Sequence, residues 1–463
     1  MKSMTESFLQ DLARLLGPAH VTSDAQTLAA LATASVKPAA LCRPGSNEEV
    51  AAVVRLAGEK RVPVIPCGGW TAMNYGAPAR EGALALSLLR LDRMLAYEPS
   101  DMVASAQAGM SFRAFQDALF EKGQWLPLDA PEAATLGGLV ATDRSGPRRL
   151  AYGTLRDLVL GLTVVNGDGV LRKCGGRVVK NVTGYALERL YIGSLGTLGI
   201  ITEVTVKLRP RPETASVQEL TLPDFERGFN ATRELALRLP FSAATASFPG
   251  KPYVAQLGIE ASPPDHARIL REIEAVAAKT GASLQETGAT SVDADDWPAR
   301  ARRLRAIQLK SGETVEPPLA ARLTWPTRAG DFPAQLRNLD HLALETGFGF
   351  LMAFLDFPGQ VSVELFGEAE PETSTSTSTS TSTGTNTSTN TRTGGERTPD
   401  LDALVKQLRG DGLPATVVWK AGGQALTEPI WGPPRGEWAL MREIKKTLDP
   451  PGILNAGRFI EGI

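Results

Sequence analysis

The pattern of hydrophobic and polar positions predicts alternating helices and short strands in the first 210 residues. Charged residues interrupt the apolar run of the first twenty residues, which indicates an amphipathic helix rather than a signal peptide. Ser46 and Glu49 form a capping box ahead of a periodic apolar run, and this predicts a helix at about 47–59. The run that starts at Ser111 and stops at Gly123 predicts another helix.

Shorter apolar runs between these helices are typical of β-strands. Residues 62–65 form one such run, and ALALSLL and VASAQAG are two more. VLGLTVVNGDGVLRKC places two alternating runs around the turn residues 166–169, which predicts a β-hairpin. Up to Arg209 we therefore expect mixed α and β elements with dense glycine between them, and Pro210 and Pro212 then mark a boundary.

The pattern changes between about residues 213 and 434. Three long helical patterns alternate there with strand-like runs such as YVAQLGIE and FLMAFLDF. This order predicts an antiparallel sheet with helices on one face, in a cap-like second domain. Within it, Thr occupies every odd position from 373 to 393, and such a run has no apolar face to bury. We therefore predict a disordered insert at 368–399, with an interaction tail or a glycosylated stalk as the alternative.

Composition narrows the classes of function. A chain of 463 residues exceeds what one hydrophobic core usually serves, so several domains are expected. The formal net charge is -2, which argues against nucleic-acid binding. Cys42, Cys67 and Cys174 have no Cys-x-x-Cys spacing and indicate a reducing compartment. No run of about 18 apolar residues occurs, so any membrane association is expected to be indirect.

Three glycine-rich stretches are the candidate binding segments. In PVIPCGGWTAMNYG the glycines follow a strand and allow the close approach of a phosphate, with a surface turn as the alternative. DAPEAATLGGLVATDRSGPRRLAYG could line a flat ring system, although close helix-to-strand packing selects the same small residues. GSLGTLGIITEV leads into a strand. None of the three contains Gly-x-Gly-x-x-Gly or a P-loop, so any dinucleotide must bind to another fold.

Taken together, the motifs resemble those of a known family. The chain reads P-x-G-G-x-T, A-T-x-G-G-x-x-A-x-x-x-S-G-P-R-R-x-x-Y-G, GGRVVKNVTGY, GSLGTLGIIT and DPPGILNAGRF, in that order. This order is similar to that of the FAD-linked oxidases of the vanillyl-alcohol oxidase and p-cresol methylhydroxylase (PCMH) type. Within them it most resembles the FAD-binding subunit of bacterial glycolate oxidase, over about 36–212 and 440–463.

The resemblance implies an α+β fold in four parts. A helical segment at 1–35 would precede a two-part PCMH-type FAD-binding domain at 36–212. An α+β cap domain with an antiparallel sheet would occupy 213–434, and a C-terminal segment at 435–463 would return to the FAD domain.

The resemblance also implies which residues bind FAD. The first glycine-rich stretch would wrap the pyrophosphate of FAD. The second would contact the flavin and the ribityl chain, and the third would contact the adenosine side. Two residues of the C-terminal segment would close over the cofactor. The residues are Pro66, Gly68, Gly69, Trp70, Thr71 and Ala72; Ala134, Thr135, Gly137, Gly138, Ser145, Gly146 and Tyr152; Gly196, Gly199 and Ile201; and Asn455 and Arg458. A helix-terminating turn is the alternative for the last two.

Trp70 departs from the family pattern. It stands where a third glycine is expected, so its ring must swing away from the cofactor or stack over it. Some relatives carry a histidine there that is bonded covalently to the flavin, and tryptophan cannot make that bond. We therefore expect noncovalent FAD.

Candidates for catalysis are few. Tyr185, beside the flavin motifs, and Arg322, on a predicted cap strand, are the two, and a surface salt bridge is the alternative for Arg322. His20, His266 and His341 lie far apart in the sequence. The His-rich metal motif of the related catalytic subunits is therefore missing, and no metal site is predicted.

The resemblance predicts an FAD-binding subunit of a glycolate oxidase-like 2-hydroxy-acid dehydrogenase. It would oxidise glycolate or D-lactate in a complex with a catalytic flavoprotein and an iron-sulfur subunit. The iron-sulfur subunit is expected because this chain has no ligands for a cluster, so onward electron transfer requires a partner. One alternative is a free-standing FAD-dependent oxidase of an alcohol, alditol or aldonolactone, and the other is a non-catalytic structural subunit. We expect a cytoplasmic location, with membrane contact only through partners.

Overall fold

In its described residues, the computed structural model has a four-stranded, a five-stranded and a two-stranded sheet in its first part and an eight-stranded and a two-stranded sheet in its second part. A C-terminal segment returns to the first part. This arrangement confirms the α+β class. The predicted insert at 368–399 lies outside the described residues. The structure describes residues 4–33, 35–144, 146, 148–177, 185–248, 253–287, 307–308, 314–315, 319–326, 331–346, 350–356, 360–366, 400–411, 413, 415–420, 426–427 and 429–463.

The helices begin where polar side chains satisfy their first N–H groups. The hydroxyl of Ser46 accepts from the N–H of Glu49, while the Glu49 carboxylate accepts from the N–H of Gly45, one residue before the cap. Ser111 likewise accepts from Ala114. The described helices are α1 (Glu6–Leu16), α2 (Ala25–Leu31), α3 (Asn47–Lys60), α4 (Phe112–Phe120), α5 (Leu136–Thr142), α6 (Arg149–Tyr152), α7 (Leu155–Leu158), α8 (Glu188–Tyr191), α9 (Phe225–Arg238), α10 (Pro263–Thr280), α11 (Phe332–Glu345), α12 (Leu401–Gly410) and α13 (Trp438–Leu448).

The strands follow the apolar runs of the sequence. The predicted hairpin is present, because Val165 pairs with Leu171 across the turn. The described strands are β1 (Val21–Thr22), β2 (Ala40–Cys42), β3 (Val64–Cys67), β4 (Leu84–Ser87), β5 (Met94–Glu98), β6 (Val103–Gln107), β7 (Gln124–Trp125), β8 (Val159–Val165), β9 (Leu171–Gly175), β10 (Ile200–Lys207), β11 (Arg209–Pro210), β12 (Thr214–Leu222), β13 (Ala243–Phe248), β14 (Tyr253–Ala261), β15 (Ser283–Glu286), β16 (Ile307–Gln308), β17 (Thr314–Val315), β18 (Leu319–Pro326), β19 (Phe350–Asp356), β20 (Gln360–Phe366) and β21 (Thr416–Lys420).

The first part of the chain contains a small sheet and a five-stranded sheet. The small sheet has the order β1-β2-β4-β3, in which β2 and β3 run parallel to β4. The five-stranded sheet is antiparallel with the order β5-β6-β10-β8-β9. Apolar side chains from both sheets and from α1, α3 and α4 share one hydrophobic core. That core fixes how the loops at the ends of the two sheets face each other.

The second part is an antiparallel sheet covered by helices. Its strand order is β15-β12-β14-β13-β19-β20-β18-β21. Tyr253, Ala255, Leu257 and Ile259 alternate along β14, and all four belong to the core that α9, α10, α11 and α12 complete. The helices therefore cover one face of the sheet, as predicted.

The C-terminal segment runs beside β3. The N–H of Val64 donates to the carbonyl of Ile453 at 2.8 Å, and the N–H of Asn455 donates to the carbonyl of Val64 at 2.8 Å. This pairing brings the last residues of the chain next to the first glycine-rich loop. None of the helices in the described ranges combines the length and the hydrophobicity that crossing a bilayer requires.

Candidate functional site

A pocket lies where four segments of the first part meet: the loop after β3, helix α5, the loop before β10 and the C-terminal segment. Most of the residues predicted to bind a cofactor line it, although they come from four distant stretches of the sequence. These are Pro66, Gly68, Gly69, Trp70, Thr71, Ala72, Thr135, Gly137, Gly138, Gly196, Gly199, Ile201, Asn455 and Arg458.

The remaining predicted residues do not line this pocket. The carbonyl of Ala134 accepts from the N–H of Phe112 at 2.7 Å, in a buried position. A Cβ on Gly146 would meet the side chain of Asp129. Tyr152 lies at the boundary with the second part of the chain. Their predicted contact with a cofactor stays a prediction, and Ser145 lies outside the described residues.

Six further lining residues had not been named as cofactor contacts. All but Leu88 lie inside the glycine-rich stretches, and several of their side chains are apolar: Cys67, Leu88, Ala141 and Leu195, together with Tyr75 and Thr142. Met73, which was expected to follow the pyrophosphate loop, lines the pocket as well. A left-handed backbone at Leu195, with φ of 54°, continues into Gly196 with φ of 71°. Leucine does not signal that conformation, so the sequence pattern could not reveal it.

The glycines of the first loop are required by packing against the second stretch. A Cβ on Gly68 would lie 2.1 Å from the hydroxyl oxygen of Thr135. A Cβ on Gly69 would lie 1.7 Å from the carbonyl oxygen of Ala133. The loop after β3 therefore presses directly on the start of α5. Close packing explains both glycines, and it also brings two of the predicted segments together to form one wall of the pocket.

The same loop presents backbone donors to the pocket. In the described part of the chain, the N–H groups of Gly69, Trp70, Thr71 and Ala72 have no acceptor. Trp70 has a left-handed backbone with φ of 58°. Consecutive N–H groups around a left-handed residue are typical of a backbone nest that binds an anion. The loop can therefore bind a phosphate without a cationic side chain of its own.

The side chain of Trp70 packs against two small buried clusters beside the loop. One consists of Val36, Ile65 and Ala83, and the other of Leu41, Cys67 and Ala85. The backbone of Trp70 adopts the conformation that a glycine would adopt most readily, while its side chain contributes to the core beside the loop. Trp70 also lines the pocket, so whether its ring lies away from the cofactor or stacks over it stays a prediction.

Arg458 brings a buried cation to the pocket. The side chain is 3% exposed, and its Nη2 donates to the carbonyls of Met73 and Tyr75. Its Nε and Nη1 are buried and have no partner in the described structure. Burial lowers the pKa of Arg458 to about 10, because no anion compensates for the lost hydration. A cation in this state favours an anionic ligand.

Asn455 also lines the pocket, where its side chain contacts the loop before β10. It has a left-handed backbone with φ of 43°, and its Nδ2 donates to the carbonyl of Leu195 at 2.5 Å. Its Oδ1 is buried and has no partner in the described structure. The C-terminal pair thus offers two unused donors and one unused acceptor to a ligand.

Of the two residues predicted for catalysis, the structure describes the side chain of Tyr185 only. Tyr185 is 92% exposed and does not line the pocket. Arg322 lies in the interior of the large sheet, where it pairs with Glu364 on β20 and Trp419 on β21, and its side chain is outside the described structure. Both predicted roles stay predictions.

The histidines have local contacts far from the pocket lining. His266 Nε2 lies 2.7 Å from the hydroxyl of Ser216, and His341 lies 3.3 Å from the Glu345 carboxylate. His20 ends a short 3₁₀ turn. Among the described residues, no group of three or more His, Cys, Asp or Glu side chains could hold a metal ion.

Two family models match the chain. One, described as FAD binding domain, covers residues 38–175, and the other, described as FAD linked oxidases, C-terminal domain, covers residues 434–459. The two ranges include the pocket-lining residues of the loop after β3, of α5 and of the C-terminal segment, while the loop before β10 lies outside both ranges.

Curated relatives match the first part of the chain. A D-2-hydroxyglutarate dehydrogenase of Xanthomonas citri pv. viticola is 43% identical over 191 residues, which is 41% of this chain and 40% of that protein. A D-lactate dehydrogenase of Archaeoglobus fulgidus is 36% identical over 198 residues, which is 42% of this chain and 44% of that protein. The glycolate oxidase subunit GlcD of Bacillus subtilis is 37% identical over 179 residues, or 38% of each chain. The matches thus span less than half the length of these relatives.

Solved structures share the whole fold at low identity. p-Cresol methylhydroxylase with bound substrate has a TM-score of 0.71 and 16% identity, and the match covers 99% of this chain and 98% of that one. 4-Ethylphenol oxidase from Gulosibacter chungangensis gives the same values. The similarity establishes a PCMH-type fold that extends through both parts of the chain.

The pocket fits the FAD that the family models imply. A pyrophosphate needs donors and positive charge, and the loop N–H groups and the unpartnered guanidinium of Arg458 supply both. An isoalloxazine or adenine ring needs apolar walls, which Leu88, Leu195 and Ile201 supply.

Proposed function

We propose that this chain, which belongs to the superfamily of PCMH-type FAD-linked oxidases, uses FAD to oxidise a small 2-hydroxy acid. The single observation that carries the proposal is the buried guanidinium of Arg458, which has two unpartnered N–H groups beside a loop of free backbone donors. The curated relatives named as dehydrogenases of D-2-hydroxyglutarate and D-lactate support the substrate class.

Each wall of the pocket has a distinct role in this proposal. The N–H groups of residues 69–72 and the guanidinium of Arg458 would bind the pyrophosphate. Asn455 Oδ1 would accept a hydrogen bond from the cofactor. Gly138, with no Cβ, leaves room beside α5 for a flat ring. When bound, FAD supplies the acceptor for the hydride of the substrate C–H bond.

We propose that FAD is held noncovalently. Trp70 occupies the position at which a histidine would be bonded to the flavin in some relatives, and an indole does not form that bond. Cys67 also lines the pocket, but burial raises the pKa of its thiol to about 12, so the nucleophilic thiolate is scarce at neutral pH.

We further propose that the chain works as the FAD-binding subunit of a glycolate oxidase-like complex, with a catalytic flavoprotein and an iron-sulfur subunit. A relative that is itself a subunit of glycolate oxidase, in Bacillus subtilis, supports this assignment. A free-standing dehydrogenase of D-2-hydroxyglutarate or D-lactate is the second candidate, favoured by the 43% identity to the Xanthomonas protein. A cytoplasmic location stays a prediction.

The visible absorption spectrum of the purified full chain tests the proposal. We expect a flavin spectrum, and denaturation should release all of the flavin into the soluble fraction. Glycolate, D-lactate and D-2-hydroxyglutarate are then added without oxygen, with L-lactate as the control. Bleaching by one D-acid or by glycolate identifies a free-standing dehydrogenase. Flavin that bleaches only after the partner subunits are added supports the complex, and a chain that binds no FAD after reconstitution contradicts the proposal.

A further inference from the structure

Helix α6 of the FAD-binding part packs against the cap. The helix belongs to the first part by sequence, yet the side chain of Leu150 packs against the hydrophobic core of the cap. Arg148 lies at its N-terminal end, and Tyr152 is its last residue. The segment therefore presents one apolar and two polar side chains to the second domain.

A buried set of charged groups surrounds this helix. Arg148 Nε donates to Glu260 on β14 of the cap at 2.9 Å, while Nη1 and the backbone N–H of Arg148 donate to the Asp129 carboxylate at 2.5 and 2.9 Å. The Tyr152 hydroxyl donates to the other oxygen of Glu260 at 2.7 Å. The side chains of Arg148, Asp129 and Glu260 are 10% exposed or less. One guanidinium thus joins a carboxylate from each domain.

Trp125 contacts both Arg148 and Tyr152. The guanidinium of Arg148 lies 5.2 Å from the centre of the Trp125 ring, and the ring of Tyr152 contacts that indole edge-on at 5.6 Å. Trp125 Nε1 donates to the carbonyl of Pro210 at 3.1 Å. Pro210 lies where the chain passes from one domain to the other, so the cluster also holds the connection between the domains.

The same stretch of chain reaches the cofactor pocket. Helix α5 lines the pocket, and only a few residues separate its last residue, Thr142, from Arg148. Within that connection, Arg144 donates to the hydroxyl of Tyr75, which also lines the pocket, at 3.3 Å. Residues 136–152 therefore contact the pocket at one end and the cap at the other.

We propose that Arg148, Tyr152 and Glu260 form an interdomain clamp that holds the cap in a fixed position relative to the FAD-binding domain and makes the two domains unfold together. They are positioning residues, because none of them lines the pocket. The Glu260 carboxylate is paired with the Arg148 guanidinium and the Tyr152 hydroxyl across the interface, while Arg148 also pairs with Asp129 of its own domain. A change on either side of the Arg148–Glu260 contact weakens the buried charge pair that joins the domains, so the domains separate more readily.

Scanning calorimetry of the full chain, with and without added FAD, tests the clamp. The variants are Glu260→Gln, which keeps the shape of the side chain, and Arg148→Lys, which keeps the charge but loses the planar fork. Glu272→Gln is the control, because the Glu272 carboxylate pairs with Arg238 on the exposed surface of the cap. We expect the wild-type chain and the control to give one transition that FAD shifts upward.

In Glu260→Gln and Arg148→Lys we expect two transitions, of which FAD shifts only one. A single FAD-responsive transition in both variants, displaced no further than in the control, would overturn the proposal. If either variant does not fold, Tyr152→Phe removes one hydrogen bond only, and it should give a broadened or split transition. A symmetric transition in Tyr152→Phe would then overturn the clamp.

The clamp and the proposed function can fail separately. The calorimetric transition of the clamp variants measured without FAD tests the clamp, and this result does not depend on whether FAD binds. Absence of any shift on addition of FAD to the wild-type chain would contradict the proposed function and leave the result on the clamp intact.

Discussion

The ammonium group of Lys445 lies 2.6 Å from the carboxylate of Asp449, and both groups are buried. Lys445 also donates to the carbonyls of Thr197 at 2.7 Å and Leu454 at 2.9 Å, while Asp449 accepts from the N–H of Leu454. Thr197 lies in the loop before β10, and Leu454 precedes the C-terminal pair of pocket residues. The ion pair therefore holds together the loop before β10 and the C-terminal segment, which form two walls of the pocket.

Replacing Lys445 by Met should destabilise the chain strongly. The substitution leaves the buried Asp449 carboxylate without its cation, and such a loss costs about 3–5 kcal/mol. Urea unfolding of the full chain measures the change. Lys446→Met is the matched control, since Lys446 pairs with Glu443 on the exposed side of the same helix, where ion pairs contribute little. Equal free energies of unfolding in the two variants would contradict the anchoring role of Lys445.

Substitution by alanine should destabilise the chain at Gly69 but not at Gly138. A methyl group on Gly69 would meet the carbonyl of Ala133, where neither atom can move away, so Gly69→Ala should lower the free energy of unfolding by about 3 kcal/mol. A methyl group on Gly138 meets only the Thr135 hydroxyl, at 3.3 Å. Since alanine favours a helix, Gly138→Ala should keep stability within about 1 kcal/mol of wild type.

The second measurement for this pair is FAD affinity. Gly138 is exposed and lines the pocket, so its added methyl group should lower FAD affinity about tenfold without unfolding the chain. Titration of flavin fluorescence measures this change. A Gly138→Ala chain that binds FAD as wild type does would show that FAD does not lie beside α5.

Trp70 should prefer glycine to alanine as its replacement. Its φ of 58° costs a residue with a Cβ about 1–2 kcal/mol relative to glycine. Both replacements lose the packing of the ring on Ile65, so this loss cancels in the comparison. Trp70→Gly should therefore be more stable than Trp70→Ala by about 1 kcal/mol in urea unfolding. The same two substitutions at Met73, which has no positive φ, serve as the control and should show the reverse order. If the Gly and Ala variants have the same order of stability at both positions, the backbone strain at Trp70 is contradicted.

Local signals were sufficient to predict much of the fold. The caps at Ser46 and Ser111 and the turn at 166–169 act within a few residues, so the sequence alone indicated α3, α4 and the β8–β9 hairpin. The alternation of helices and strands likewise predicted the antiparallel sheet of the cap. Contacts between distant residues carry no such signal. The pairing of Val64 with Leu454 is one example. The resemblance predicted that the C-terminal segment returns to the FAD domain, but the residue pattern does not indicate which strand that segment joins.

The candidate site was predicted from motifs, and the structure brings most of the predicted residues together in one pocket. Tyr152 was assigned to the flavin; its hydroxyl donates to Glu260 of the cap and it does not line the pocket, so its contact with the flavin stays a prediction. A motif indicates which residues occur together, and it does not indicate which neighbour each side chain faces. The unpartnered state of Arg458 could not be read from the sequence for the same reason, since it depends on every group that surrounds the guanidinium.

Arg458 should contribute most to the binding of the phosphates of FAD. Hydrogen bonds to a charged group contribute about 1.5–3 kcal/mol, so Arg458→Gln should weaken FAD binding by roughly 10- to 150-fold. Arg458→Lys should recover part of this loss, because lysine restores the charge but cannot replace Nε and Nη1 together. Isothermal titration calorimetry of the apo chain with FAD, ADP and riboflavin measures the effect.

The three ligands identify which part of the cofactor Arg458 contacts. FAD and ADP carry phosphates and riboflavin does not, so the substitution should weaken the first two and leave riboflavin unchanged. Arg435→Gln is the control, since Arg435 is exposed and does not line the pocket. Arg458 also holds the loop at Met73 and Tyr75, and a general distortion of that loop would weaken all three ligands alike. An equal loss for riboflavin would therefore contradict a phosphate contact, because riboflavin carries no phosphate for Arg458 to bind.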